Sequence, residues 1–156
     1  HVVFTTLHTN DAPSAVARMI DIGCEPFLIA ATLEAVIAQR LVRRVCTKCK
    51  VWFSPTEEQL MAINLRPADV AGKKFAYGEG CNNCNGTGYR GRCAIFEIMM
   101  GTERIKDGIM DMASTGRLRE IAREEGMRTL RESGLLAIFD GVSTIDEVLR
   151  ETMSTF

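Results

Sequence analysis

Cys46-Thr47-Lys48-Cys49 and, after a long spacer, Cys81-Asn82-Asn83-Cys84 are the stretches on which the architecture turns. Two residues between paired cysteines let the backbone bend so that both sulfurs face inward. Two such knuckles can close a tetrahedron of thiolates around a zinc ion, with each sulfur about 2.3 Å from the metal. Glycines on either side of the second knuckle permit the tight turns it needs. The pairing suits a structural zinc knuckle better than the clustered cysteine runs that hold iron–sulfur centres. Reduced cysteines without metal, and disulfides, are the other states open to such a set. A site closed by Cys46, Cys49, Cys81 and Cys84 leaves no position for water or substrate, so zinc is expected to fold the segment and not to catalyse. Cys24 and Cys93 stand apart and are expected as small core hydrophobes, since free cysteine is often buried.

Outward from the knuckles the composition changes. Residues 46–92 are rich in glycine, asparagine, lysine and cysteine, with one helix start where Ser54, Pro55 and Glu57 form a capping box. On the N-terminal side, the β-branched run Val2-Val3-Phe4-Thr5-Thr6 predicts a buried strand. Asn10 or Asp11 can then cap a helix with Pro13 in its first turn, Val16, Met19 and Ile20 on one face, and Gly23 as its stop. A short buried helix is expected from Pro26, and residues 36–45 read as a strand or as a continuing helix. On the C-terminal side, Cys93 to Met100 predicts a strand. Helical faces follow at Ile105, Ile109 and Met112 and at Leu118, Ile121 and Ala122, with a stop at Gly126. Thr129 with Glu132 and Thr144 with Glu147 mark two more helix starts, so the tail is expected to form a small helical bundle. The pattern is α/β, divided as 1–45, 46–92 and 93–156.

Of the 156 residues, 46% are hydrophobic and 25% charged, the make-up of a folded globular chain. A net charge of −1 with evenly scattered cations provides no basic stripe, which argues against nucleic acid as a partner. The longest mostly apolar stretch, Pro26 to Ala38, is broken by Glu34 and falls short of the roughly 20 residues a membrane span needs. With no secretory leader, a reducing compartment is expected. His1 runs directly into the expected strand, which reads as a segment whose upstream partner strands lie elsewhere in a longer chain.

Two polar clusters are candidates for a ligand site. Thr5-Thr6-Leu7-His8-Thr9-Asn10-Asp11 stands where the expected strand ends and a helix begins, the edge at which open α/β sheets bind ligands and helix N-termini receive phosphate. A satisfied structural histidine and ordinary helix caps account for the same residues. Gln39-Arg40 and Arg43-Arg44 offer guanidinium forks suited to phosphate or carboxylate, and equally read as solvated charges beside a strand.

Taken together and in order, Phe4-Thr5-Thr6-Leu7-His8-Thr9-Asn10-Asp11-Ala12, Ala38-Gln39-Arg40-Leu41-Val42-Arg43-Arg44-Val45-Cys46, Gly88-Tyr89-Arg90-Gly91-Arg92 leading to Ile95-Phe96-Glu97, and Gly126-Met127-Arg128-Thr129-Leu130-Arg131 resemble the secretion ATPases of type II secretion and type IV pilus assembly. The resemblance covers essentially the whole chain. It implies the C-terminal remnant of a RecA-like nucleotide-binding domain, a four-cysteine zinc insert and, from Thr102, a helical C-terminal domain. His8, with Thr6 and Thr9 beside it, resembles the family's histidine box, which faces the nucleotide. Gln39 and Arg40 resemble polar groups near the nucleotide and the subunit boundary. The family further implies ATP and Mg2+ in the full-length protein, a ring of six identical subunits, a platform protein of the inner membrane as partner, and a cytoplasmic location peripheral to that membrane.

The departures are as informative. G-x-x-x-x-G-K-[ST] is absent: Gly72-Lys73 has Pro67 where the first glycine would stand, so this segment alone is expected to be inactive. A stand-alone zinc-knuckle interaction module is the alternative, since Cys81-x-x-Cys84-x-Gly86-x-Gly88 also resembles one repeat of a chaperone zinc domain. A nucleic-acid zinc ribbon is disfavoured by the charge and the few aromatic residues.

Overall fold

A computed structural model describes residues 1–153. They divide into two compact units, one formed by His1–Gln39 with Phe96–Leu130, the other by Arg40–Ile95 with the described residues from Arg131 onward. Strands β1 (Ala35–Val45) and β4 (Tyr89–Met100) pair as a two-stranded sheet, and each contributes residues to both units. No helix of the described residues is long and apolar enough to cross a membrane.

Among the described residues the first unit is built on four helices. α1 (Ala12–Asp21) is capped by the Asp11 carboxylate, which accepts from Ser14 N at 2.9 Å, and the chain leaves it through Gly23 at φ +96°. α2 (Pro26–Thr32) buries Ile29 and Ala30 but leaves Phe27 and Leu28 about half exposed, so it is a surface helix and not the wholly buried one the apolar run suggested. α4 (Glu103–Met110) and α5 (Thr115–Glu124) start at Thr102 and Ser114, whose hydroxyls accept from Ile105 N and Arg117 N. Val16, Ile29, Ala30, Met99, Ile105, Ile109, Leu118, Ile121 and Ala122 form one core. Met112 departs from the expected face. α4 ends before it, and Met112 takes φ +53° and stays exposed.

The expected strand at Val2–Thr6 does not form. Residues 1–9 carry no helix or strand, and Val2, Val3 and Phe4 are 78%, 81% and 94% exposed. A strand is held by hydrogen bonds to a neighbour, and among the described residues no strand pairs with this run.

The second unit carries an antiparallel hairpin of β2 (Lys50–Phe53) and β3 (Phe75–Gly78), in register from Lys50 opposite Gly78 to Phe53 opposite Phe75. α3 (Glu57–Ala62) lies between them in sequence. Its capping box is Thr56 with Gln59, two residues later than the Ser54 and Glu57 expected. α6 (Leu130–Phe139), all of it but Leu130 within this unit, and α7 (Ile145–Thr152) complete it. The hairpin and these helices share a core. Phe75 meets the Phe139 ring edge-on at 5.8 Å, the Trp52 ring lies against Gly141, and Val148 lies against Gly134. The expected tail bundle is therefore divided: α4 and α5 pack with α1 and α2, while α6 and α7 belong with the cysteine-bearing hairpin.

Buried charge organises this unit. The Glu147 carboxylate, 1% exposed, accepts from Arg43 N at 2.9 Å, from Arg43 Nε and Nη2 at 3.0 and 2.8 Å, and from Arg150 Nη2. Arg43 stacks on Tyr89 at 4.1 Å, and the Tyr89 hydroxyl shares a 2.7 Å hydrogen bond with Thr144, which caps α7. The Arg43 guanidinium thus finds its carboxylate inside the protein. Arg44 remains exposed.

Candidate functional site

Each cysteine pair is set by a strand end followed by a tight turn. Cys46 follows β1, and its N–H donates to the Gly88 carbonyl at 2.9 Å. Cys49 precedes β2, and its carbonyl accepts from Glu79 N at 3.1 Å just beyond β3. Cys81 and Cys84 bracket a 3-10 turn that closes through Asn85 in the left-handed region. Gly78 and Gly88 face one another so closely that a Cβ on either would overlap the other's carbonyl oxygen, and both are needed for the two segments to approach.

This brings the four sulfurs together. They lie within 4.8 Å of one another, with Cys46 to Cys81 at 3.9 Å and both Cys49 to Cys84 and Cys81 to Cys84 at 3.8 Å. A tetrahedral centre bonded to sulfur at about 2.3 Å has an edge of about 3.8 Å. Disulfide bonding, at about 2.05 Å, is far from these distances, and all the cysteines are free thiols. Further donors serve the sulfurs. Cys81 N and Gly88 N donate to Cys84 Sγ at 3.2 and 3.3 Å, and Asn83 Nδ2 donates to Cys46 Sγ at 3.3 Å. The Asn83 amide is itself held by Arg90, whose Nη1 donates to Asn83 Oδ1 at 2.7 Å. Asn83 escaped sequence reasoning because it fills an unconstrained position of the knuckle; its side-chain amide was the available signal.

The electrostatics follow. The Asn83 donor draws the Cys46 thiol down to about 6, and the backbone donors hold Cys84 low against the opposing effect of burial, whereas burial pushes Cys49 up to about 12. Four sulfurs so close cannot all ionise without a cation among them, and a divalent metal would supply the missing charge. Spacing, donors and charge all fit a metal ion held by Cys46, Cys49, Cys81 and Cys84. Cys24 is exposed, contrary to the core position expected for it, and Cys93 is half-buried.

The second candidate cluster lies just before α1. His8 and Thr6 are exposed on the irregular segment, while Thr9 donates through Oγ1 to the Asp11 carbonyl at 3.1 Å. Asp11, 4% exposed, accepts from Ser14 N and pairs with the Arg119 guanidinium. Burial alone would raise its carboxyl, but these bonds hold it below the ordinary value. Beside it the Glu97 carboxylate accepts from Ala12 N at 2.7 Å and Leu130 N at 3.1 Å, the first residues of α1 and α6. Burial pushes Glu97 up, and the two N–H donors oppose that. Gln39 on β1 is exposed, and Arg40 is half-buried. Thr6, His8, Thr9, Gln39 and Arg40 line none of the cavities described within either unit. The bonds of Glu97 and Arg119 escaped sequence reasoning because their partners lie far along the chain, 85 and 33 residues from Glu97 and 108 from Arg119.

The family model described as Type II/IV secretion system protein matches residues 1–150. The chain is 46% identical over 153 residues to the type IV pilus assembly ATPase PilB of Thermus thermophilus, covering 98% of this chain and 17% of that protein. It is 42% identical over 153 residues to the type IV pilus assembly ATPase PilB of Myxococcus xanthus, covering 97% and 27%. It is 43% identical over 152 residues to the type II secretion system protein HxcR of Pseudomonas aeruginosa, covering 97% and 28%. The chain thus spans less than a third of the length of these relatives. With a model match over residues 1–150 and relatives of this identity along nearly its whole length, the chain belongs to the type II/IV secretion system protein family.

Proposed function

We propose that this chain is the C-terminal portion of a hexameric ATPase that powers type IV pilus assembly or type II secretion by coupling ATP hydrolysis to subunit motion. The observation that carries this reading is the family match over residues 1–150, joined to relatives named as pilus assembly ATPases. In it, residues 1–45 belong to a RecA-like nucleotide-binding core, 46–92 to a zinc-binding insert, and 93–156 to a last strand and the helical C-terminal part, whose α6 and α7 fall in the same compact unit as the insert. His8 faces the nucleotide with Thr6 and Thr9 beside it, and Gln39 and Arg40 lie near the nucleotide and the subunit boundary. ATP with Mg2+ is the substrate of the full-length protein. The ring of identical subunits works on the cytoplasmic side of the inner membrane against a platform protein.

Zinc is the metal that four thiolates select, and its contribution is structural: it neutralises the sulfurs and pins the ends of β1 and β3. The residues of this segment position and do not cradle phosphate, since the sequence has no G-x-x-x-x-G-K-[ST] loop, so the segment by itself turns over no ATP. The stand-alone zinc module is the weaker reading, because the family match reaches far beyond the cysteine segments.

The test is to measure ATP hydrolysis and metal content of the full-length protein as wild type and His8→Ala. The expected result is about one zinc per chain in both and a turnover at least about 100-fold lower in His8→Ala, the scale on which loss of a positioned proton-handling or orienting group acts. Unchanged turnover in His8→Ala, or a chain free of zinc, would refute the corresponding part.

A further inference from the structure

The segment that carries His8 has no helix or strand of its own, yet it ends on a backbone held by two buried carboxylates of the first unit. Asp11, three residues after His8, is 4% exposed, and its carboxylate is shared between Ser14 N and the Arg119 guanidinium of α5. At the next residue, Ala12 N donates to Glu97 Oε1 at 2.7 Å, and the other oxygen of that carboxylate takes Leu130 N at 3.1 Å. Glu97 is 2% exposed on β4, so one buried carboxylate is divided between the backbone that follows the His8 segment and the residue at which the chain leaves the first unit. Folding seldom places an ionisable side chain among apolar residues unless its charge is fully used. A capping asparagine or serine would satisfy one helix start. The two carboxylate oxygens of Glu97 serve two helix starts at once, one N–H on each.

We propose that Glu97, assisted by Arg119, is a positioning residue for the His8 segment: it fixes the backbone at Ala12, and thereby His8, relative to α5 and the start of α6. This rests on the reading that His8 faces the nucleotide. It adds a role for a strand β4 residue and an α5 residue that approach His8 only through Asp11 and Ala12.

The substitution that isolates the role is Glu97→Gln. Glutamine keeps the shape and one acceptor oxygen but turns an N–H2 group toward the second backbone N–H, so one of Ala12 N and Leu130 N loses its partner. In the full-length protein, displacement of a positioned group by a fraction of an ångström to an ångström lowers turnover by about 10- to 100-fold, with KM for ATP held within about twofold. Combining Glu97→Gln with His8→Ala adds less than about threefold to the loss of His8→Ala alone, because both act through one group. Hydrogen exchange of the Ala12 and Ser14 amides, at the start of α1, rises in Glu97→Gln. The surface variant Arg104→Gln, which breaks an exposed ion pair with Glu124 in the same unit, leaves turnover and exchange unchanged.

If Glu97→Gln folds and turns over at the wild-type rate, or if its effect multiplies fully with that of His8→Ala, the proposal is overturned while the site reading stands. If His8→Ala itself leaves turnover intact, the site reading falls and the proposal with it. Should Glu97→Gln not fold, Arg119→Gln, at a side chain 34% exposed, is the second probe. The proposal requires it to raise exchange at Ala12 and Ser14 and lower turnover with KM held, and wild-type values for both overturn it.

Discussion

Replacing Glu147 by alanine removes the acceptor on which Arg43 and Arg150 of the second unit converge. The side chains of Arg43 and Arg150 are 39% and 55% exposed, so both guanidinium groups regain water, and their lost pairings cost about 0–1 kcal/mol each. Arg43 N is different. It donates to a carboxylate 1% exposed, and a charge-assisted hydrogen bond to a buried acceptor is worth about 1.5–3 kcal/mol. The sum is about 1.5–5 kcal/mol, or a drop in Tm of about 3–20 °C for a protein of this size. The pH dependence carries a sign. Arg43 and its backbone N–H hold the Glu147 carboxyl below its ordinary value against the opposing effect of burial, so its stabilisation is full above the unfolded value near 4.5 and is lost as pH falls through the folded one. Thermal and urea unfolding of wild type and Glu147→Ala, followed by circular dichroism at pH 7 and at descending pH, should give a difference that is large at neutrality and closes in acid. A difference under about 0.5 kcal/mol at pH 7, or one that persists below the folded value, would refute the assignment of this network as the stabilising one.

Stripping the metal with a strong chelator should raise hydrogen exchange in α6 and α7 as well as around the knuckles, because Phe75 meets Phe139 and Trp52 lies against Gly141; α1, α4 and α5 should keep their protection. Gly88→Ala drives a Cβ into the Gly78 carbonyl and takes the donor for Cys84 Sγ with it, so metal content should fall well below that of wild type by elemental analysis. Gly134→Ala gains about 1 kcal/mol of helix propensity but presses on Val148 at a cost of about 1–3 kcal/mol, and urea unfolding should show a net loss of about 1 kcal/mol.

The amino-acid sequence by itself determined what short-range chemistry can decide. Two C-x-x-C pairs announced a cluster of four sulfurs able to hold a metal ion, Asn10 or Asp11 and Thr144 announced helix starts, Gly23 and Gly126 announced stops, and the apolar spacing of Leu118, Ile121 and Ala122 announced a buried face. Each depends on groups within a few residues of one another, or, for the cysteines, on a side chain whose chemistry has few other uses. Only tertiary structure decided the rest. Ser54 and Thr56 head two overlapping capping boxes, and nothing local separates them. Val2 to Thr6 has strand composition, but a strand needs a neighbour that no local pattern supplies. Arg43 read equally as a phosphate fork or a solvated charge until Glu147, 104 residues away, claimed it. Glu97 could not be told from any polar residue on an exposed strand face until two helix starts, set 85 and 33 residues from it, turned their N–H groups toward one carboxylate. Charge buried far from its partner in sequence leaves no periodic mark, and so the residues that hold the His8 segment in place became visible only once the chain was folded.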